Sequence, residues 1–485
     1  MSGRLLAGDP AARFGGASID SRTIRGGELF FAFRGERADG RAFVKDAFAR
    51  GAAGAVVEAE GEPVAAPTGS NRFVIEVENV GDALVELARA LRERAPEQLA
   101  GITGSAGKTT TKELLAAMLA RRFRVGRTMG NFNNRIGLPV SLLNVPDDTE
   151  WMVAEMGMSS AGELRELSLL ARPDVAVFTV VRPAHLEFFD SVQAIAEAKS
   201  ELLAGLGNDG WIVANAADPE VVRIARRHRD ARGDRGGRVV WYALGEPASD
   251  FGDAEDGDRI DLRATDVVAL PDGRGSRFVL EVEGGRHSVL LALHGAYNVE
   301  NFLAAAAAAW SIGVPVEEIV EVAAEMPGAP GRGEVHRLKL PAGGSALLID
   351  DSYNSNPDAA GKALAGAAGV PGAAGRRVAI LGDMLELGPG ASAFHRETGA
   401  RAAALGFSPV VGVGGLAREL VAGAAAGGAE AIHLADADAA ADWAAGNLAA
   451  GDVMLVKGSR GVRLDRVVAR LLGRAGAAKG GEAKT

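Results

Sequence analysis

The chain has 485 residues, with 53 Lys and Arg against 63 Asp and Glu, a net charge of −10, and no cysteine. The acidic balance argues against a general nucleic-acid binder, which needs a basic face, and the lack of cysteine excludes disulfides, thiolate metal sites, Fe–S clusters and cysteine nucleophiles. Hydrophobic residues at 47% and charged residues at 24% mark a globular chain, long enough for about three domains.

Residues 1–97 read as a small α/β unit. The runs Leu29–Phe33 and Phe73–Val77 read as strands, and Leu84, Leu87, Ala88 and Leu91 fall on one helix face that Pro96 ends. A second unit spans 98–336. It opens with a strand at Leu99–Thr103 and a Gly-rich string. A helix follows, with Leu114, Leu115, Met118 and Leu119 facing the core. Trp151–Glu155, Val175–Val181 and Trp211–Ala214 are apolar on both alternations, as strands inside a parallel sheet are. Residues 230–260 and 271–276 are rich in Gly, Asp and Arg and read as loops or hairpin tips. Asn301–Trp310 reads as an alanine-packed helix.

The stretch 302–316 is the longest apolar run. It is too short to cross a bilayer and is broken by Ser311, Gly313 and Pro315. The N-terminus lacks an apolar signal core. A cytoplasmic protein without membrane insertion is expected. From 337 to 472, strands at Ala346–Asp350, Val378–Leu381, Val410–Val413, Ala431–Leu434 and Val453–Lys457 alternate with helices, the last near Arg463–Leu472. That alternation predicts a Rossmann-like, doubly wound parallel sheet. Residues 473–485 read as a disordered tail. The fold class is therefore three-domain α/β.

The string Thr103, Gly104, Ser105, Ala106, Gly107, Lys108, Thr109, Thr110 lies between a strand and a helix. There, backbone N–H groups and a helix N-terminus cradle phosphate, Lys108 faces the β/γ-phosphates and Thr109 can ligate Mg²⁺. The general pattern wants Gly at 102, where Ile102 stands. Glu155 ends a strand, at the edge where α/β sheets bind ligands. It reads as a Mg²⁺ ligand or as a solvent-facing acid. His185 follows another strand and, imidazole being a less usual Mg²⁺ partner, reads from its chemistry as a polar loop histidine rather than a metal ligand. Lys199 shares a helix stripe with Val192, Ile195, Leu202, Leu203 and Leu206. It either snorkels or is a buried amine of lowered pKa.

Asn298 and Asn301 share a helix face and can read an adenine edge, or Asn298 caps the helix. Asp351, Asn354 and Asn356 follow one strand end. Lys457 and Arg460 follow another, as a carboxylate or phosphate site or as a solvated basic turn. Gly412, Gly414 and Ala417 fit a loose dinucleotide fingerprint, but not at the first βα unit, and are set aside.

TGSAGKTTTK resembles the phosphate loop of the Mur ligases, ATP-dependent ligases of peptidoglycan synthesis whose loop lacks that first Gly. The resemblance continues through DSR at Asp20–Arg22, GNFNNRIGLP at Gly130–Pro139, EMG at Glu155–Gly157, PAHLEFF at Pro183–Phe189, EAKSELL at Glu197–Leu203 and YNVEN at Tyr297–Asn301. DDSYNSNPD at Asp350–Asp358, GDMLELG at Gly382–Gly388 and VKGSRG at Val456–Gly461 resemble the dipeptide-adding branch.

The resemblance implies an enzyme using ATP and Mg²⁺ to join D-alanyl-D-alanine to UDP-N-acetylmuramoyl-tripeptide through an acyl phosphate. The N-terminal domain would take the UDP end, the central domain ATP, and the C-terminal domain the dipeptide. By the same resemblance the loop residues 103–110, Asn298, Asn301, Arg332 and Asp351 hold ATP. Thr109, Glu155, His185 and Lys199 hold the metal, Lys199 as a carbamate, and Lys108, Lys199 and His185 are catalytic. Ser21, Arg22, Asn133, Asn134, Asn354, Asn356, Lys457 and Arg460 meet the substrates. A monomer is expected. Two alternatives stand beside this reading: a family member adding a single amino acid, and a phosphate-loop ATPase switch that ligates nothing.

Overall fold

The computed structural model describes residues 3–473 except 10, 36–37, 61–63, 65–71, 96, 184–185, 233–236, 250, 252–257, 327, 341–342 and 372–374. Pro96, His185 and the expected tail from 474 onward therefore lie outside the described residues. Three sheets organise the chain. The first has five strands in the spatial order Gly3–Ala7, Phe73–Val77, Gly54–Glu58, Leu29–Phe31 and Ala17–Ser18. It is parallel except at Gly3–Ala7. The helix Val80–Arg92 starts under an Asn79 cap and packs its apolar face toward the second domain.

The second sheet has nine strands. Gln98–Thr103 lies between Trp151–Glu155 and Val175–Phe178, all parallel, with Val125–Arg127 at one edge. On the other side come Trp211–Asn215, Arg238–Leu244, Leu262–Ala269, Ser276–Val282 and Gly285–Leu291. The last three run antiparallel to one another, so a meander extends the parallel sheet expected from the sequence. Arg238–Leu244 also corrects the reading of 230–260 as loop. Its VVWYA core is a buried strand whose flanks alone carry the Gly and Arg. The alanine-packed helix is longer than expected, Ala296–Ile312, and Ala304–Ala309 are fully buried against the helix Lys108–Leu119 and the sheet.

The third sheet has six strands, with Ser345–Asp351, Val453–Lys457, Arg377–Gly382, Phe407–Val413 and Ala431–Leu434 parallel. An edge strand, Glu334–Lys339, is antiparallel to Ser345–Asp351. The boundary expected after 336 falls inside that strand, so the third sheet already begins at Glu334.

The apolar cores show how the domains are joined. One continuous cluster runs from Leu29, Phe31 and Val56 of the first sheet through Leu84 and Leu138 to Met152 and Phe178 of the second. Asn144 seals that junction, accepting from Ala17 N at 3.1 Å and donating to Ala17 O at 2.8 Å. The third domain has its own cores on the two faces of its sheet. Among the described residues, none of the buried apolar clusters spans this domain and the rest, and the described contacts between them include the Lys362–Glu300 ion pair and a backbone bond from Glu187 N to Glu386 O.

Candidate active site

After the strand Gln98–Thr103 the chain turns through Gly104 and Gly107, at φ +153° and +84°. A Cβ on Gly104 would strike the Thr179 hydroxyl, and one on Gly107 the Asn301 amide oxygen. Both positions need glycine for conformation and for space. Thr179 braces the turn by donating from its hydroxyl to Ala106 O at 2.6 Å. Ser105 is tied to the neighbouring strand end, donating from N to Val180 O at 2.7 Å and from Oγ to Arg182 O at 2.9 Å.

Lys108 opens the helix Lys108–Leu119, and its amine donates to Gly104 O at 2.7 Å. It is half-buried rather than fully turned to solvent. Burial pushes its pKa down, with Glu155 opposing and Arg332 reinforcing the shift. Thr109 donates to Glu155 Oε2 at 2.6 Å, and Asn133 Nδ2 donates to Glu155 Oε1 at 2.8 Å. Glu155 is thus a buried carboxylate aimed at the phosphate loop, not a solvent-facing acid. A threonine hydroxyl beside a carboxylate is a hard-oxygen donor set, which suits Mg²⁺.

Lys199 sits on the helix Val192–Ser200, buried and lining the same cleft. Among the described residues its amine has no hydrogen-bond or ion-pair partner. Burial first, and then the charge of Lys108, hold its pKa well below the usual lysine value. It does not snorkel. The stripe seen in the sequence carries the amine into the site.

The cleft, about 470 Å³ in volume, lies between the central and third domains. Asn301 lines it. Asn298 stands behind, donating to His294 O at 2.7 Å and accepting from Asn301 Nδ2 at 3.1 Å. The helix begins at Ala296, so Asn298 is inside its first turn and is not its cap. From the third domain, Asp351 and Lys457 pair at 2.7 Å, and Lys457 also donates to Asn354 O at 2.9 Å. Lys457, expected to meet a substrate anion, therefore has its charge matched within the fold, and so does Asp351.

Asn356 caps the helix Pro357–Ala368, accepting from Ala359 N at 2.8 Å, while Asn354 is exposed at the cleft wall. Two guanidiniums stack on the Tyr353 ring, Arg332 at 4.2 Å and Arg460 at 5.4 Å from its centroid. Tyr353 was not singled out in the sequence, although it stands within the DDSYNSNPD segment. Asn134 lines the cleft and turns its own loop, accepting from Gly137 N at 2.8 Å. Ser21 and Arg22 are outside the cleft. Ser21 is buried in the first domain, and Arg22 pairs with Asp20 at 2.8 Å.

Comparison with known proteins finds one family along the chain. The profile of the Mur ligase family catalytic domain matches residues 13–92, that of the Mur ligase middle domain 102–309, and that of the Mur ligase glutamate ligase domain 331–460. The UDP-N-acetylmuramoyl-tripeptide–D-alanyl-D-alanine ligase of Bacillus subtilis is 33% identical, over 94% of this chain and 93% of its own length. The Escherichia coli protein of the same name is 32% identical with the same coverage. A crystal structure of MurF from Acinetobacter baumannii superposes with a TM-score of 0.76 at 29% identity, covering 94% of this chain and 93% of that one. MurF from Thermotoga maritima in complex with ADP gives 0.76 at 28%, covering 96% and 99%.

Proposed function

The chain belongs to the Mur ligase family, and on that premise we propose that it joins D-alanyl-D-alanine to UDP-N-acetylmuramoyl-tripeptide at the expense of ATP. The observation that carries this reading is the cleft in which the phosphate loop faces the DDSYNSNPD segment and Arg460 across a domain boundary. A carboxylate resists amines because its oxygen leaves poorly. Transfer of the γ-phosphoryl group to that oxygen releases ADP and forms an acyl phosphate. The neutral amine of the dipeptide then adds to the carbonyl carbon, the C–O bond breaks, and phosphate and a proton depart. The protein's part is positioning and charge.

Residues 105–110 cradle the phosphates, with Lys108 as their cation. Asn301, held by Asn298, reads the adenine edge, and Asp351 keeps Lys457 oriented beside the nucleotide. Thr109, Glu155 and Lys199, with His185, would hold Mg²⁺, which supplies charge neutralisation for the phosphates when bound. Lys199 would serve as a carbamate, formed when its neutral amine takes up CO₂ and releases a proton. Its enclosure, its low pKa and its lack of a described partner support that role. Asn133 acts through Glu155 rather than on substrate. Ser21 and Arg22 belong to the domain that takes the UDP end. Arg460, with Tyr353 beneath it, is the best-placed cation for the dipeptide carboxylate, since its side chain keeps 58% of its surface open. No described helix is long and apolar enough to cross a membrane, and we assign the chain to the cytoplasm as a monomer.

The test is product mass spectrometry after incubation with ATP, Mg²⁺, UDP-N-acetylmuramoyl-tripeptide and D-alanyl-D-alanine, with D-alanine, L-lysine and meso-diaminopimelate as competitors on matching acceptors. The dipeptide adduct is expected. Preferred incorporation of a free amino acid would move the chain to a neighbouring step.

A further inference from the structure

Two chains of polar contacts run from one helix of the third domain to the phosphate loop. The first starts at Lys362, on the helix Pro357–Ala368. Its amine donates to Glu300 Oε2 at 2.8 Å. Glu300 Oε1 accepts from Asn215 Nδ2 at 3.0 Å, and that amide also donates to Thr179 O at 3.1 Å. Thr179 is the residue whose hydroxyl holds Ala106 O and whose position forbids a side chain at 104. The second starts one turn earlier. Asp358 lies 3.5 Å from Lys362 and 3.8 Å from Arg182 Nε, and the Arg182 backbone exchanges hydrogen bonds with the Ser105 hydroxyl. Arg182 is itself anchored to the fully buried Asp218 at 2.6 Å.

We propose that Glu300 and Lys362 are positioning residues whose ion pair docks the third domain and, through Asn215 and Thr179, sets the phosphate loop in its working shape. Three observations lead there. Glu300 stands in the first turns of a helix whose body is a buried run of alanines, and its largely buried carboxylate carries a desolvation cost that Lys362 and Asn215 offset. The first two domains share an apolar core, whereas among the described residues no buried apolar cluster ties the third to them, so specific polar pairs carry more of its docking. Both residues line the reaction cleft, yet each is engaged with protein. The inference rests on the ligase reading only for what docking serves.

Two measurements test it. The chain has no cysteine, so Glu321→Cys and Glu397→Cys, both at exposed positions of the central and third domains, take spin labels cleanly. In this background Glu300→Gln keeps an acceptor for Asn215 but loses the charge facing Lys362, and Lys362→Met removes the partner. Each is expected to broaden the inter-label distance distribution and to raise the KM for ATP roughly tenfold, with the KM for the UDP substrate little changed. The double variant is expected to lose no more than the worse single variant, because the pair acts as one unit. An unchanged distance distribution in both single variants, or losses that multiply in the double variant, would overturn the proposal. The distance measurement needs no ligation, so it stands apart from a failure of the ligase assignment.

Discussion

At the scale of single residues, two lysines share one cleft and are set up for opposite tasks. The role proposed for Lys108 needs a cation against phosphate. Glu155 supports its charge and the Gly104 carbonyl holds its amine. Lys108→Ala is expected to lower kcat by roughly a hundredfold to a thousandfold, the scale of one lost charge-stabilising donor. Thermal melting should stay close to the parent, since only one loop hydrogen bond goes with it. Turnover near the parent rate would show that the loop 103–110 is not the catalytic one.

Among the described residues Lys199 has no ion-pair partner, and burial holds its pKa well below the usual lysine value. Lys199→Ala should lose most activity and recover part of it with a small carboxylic acid that supplies the missing oxygens. The same amine has a cost for folding. Because its folded pKa is below the unfolded value of about 10.5, the unfolded chain binds the extra proton. Stability therefore rises with pH from the folded pKa up to that value. In CO₂-free buffer without nucleotide, Lys199→Met should melt higher than the parent at neutral pH, and the gap should close as pH approaches 10.5. A melting difference independent of pH would contradict a buried neutral amine.

At the scale of elements, the helix Pro357–Ala368 depends on Asn356, whose side chain satisfies the Ala359 N–H. Asn356→Ala is expected to cost about 1 kcal/mol in denaturant unfolding. Asn356→Ser, which still caps, should restore most of that and most of the activity. A serine variant of full stability but little activity would mean that the amide itself touches substrate.

This helix also marks what was readable beforehand. The glycines and Lys108 form a local string, so the phosphate loop and its strand–helix setting could be read from spacing. Glu155 showed as a strand-end acid and Lys199 as a stripe member for the same reason. The meander over 262–291 did not show, because its outer strands are buried on one face only and lack a continuous apolar run. Neither did the Glu300–Lys362 pair, whose members lie 62 residues apart and meet only once two domains dock. Lys457 and Asp351 were each visible as charged strand-end residues, but their pairing across 106 residues was not.

At the scale of the molecule, the reaction cleft exists only where two separately built bodies meet. The phosphate loop comes with the shared core of the first two domains, and Tyr353, Asn354 and Arg460 come with the third. That division bears on the rival reading of an ATP-driven switch. A switch can turn over ATP with the loop, the metal and water alone. A ligase that assembles its site from two domains needs the carboxylate acceptor in place before the γ-phosphoryl group has anywhere to go, and domain docking keeps water from taking its part. ADP formation should therefore be negligible with ATP alone and also with ATP plus D-alanyl-D-alanine. With UDP-N-acetylmuramoyl-tripeptide but no dipeptide it should stop near one turnover, because the acyl phosphate waits for its amine. With both substrates, ADP and ligated product should appear in equal amounts at every time point, measured by coupled ADP assay and mass spectrometry on the same samples. Sustained ADP release without the acceptor would favour the switch and leave the third-domain wall of the cleft without a substrate to close upon.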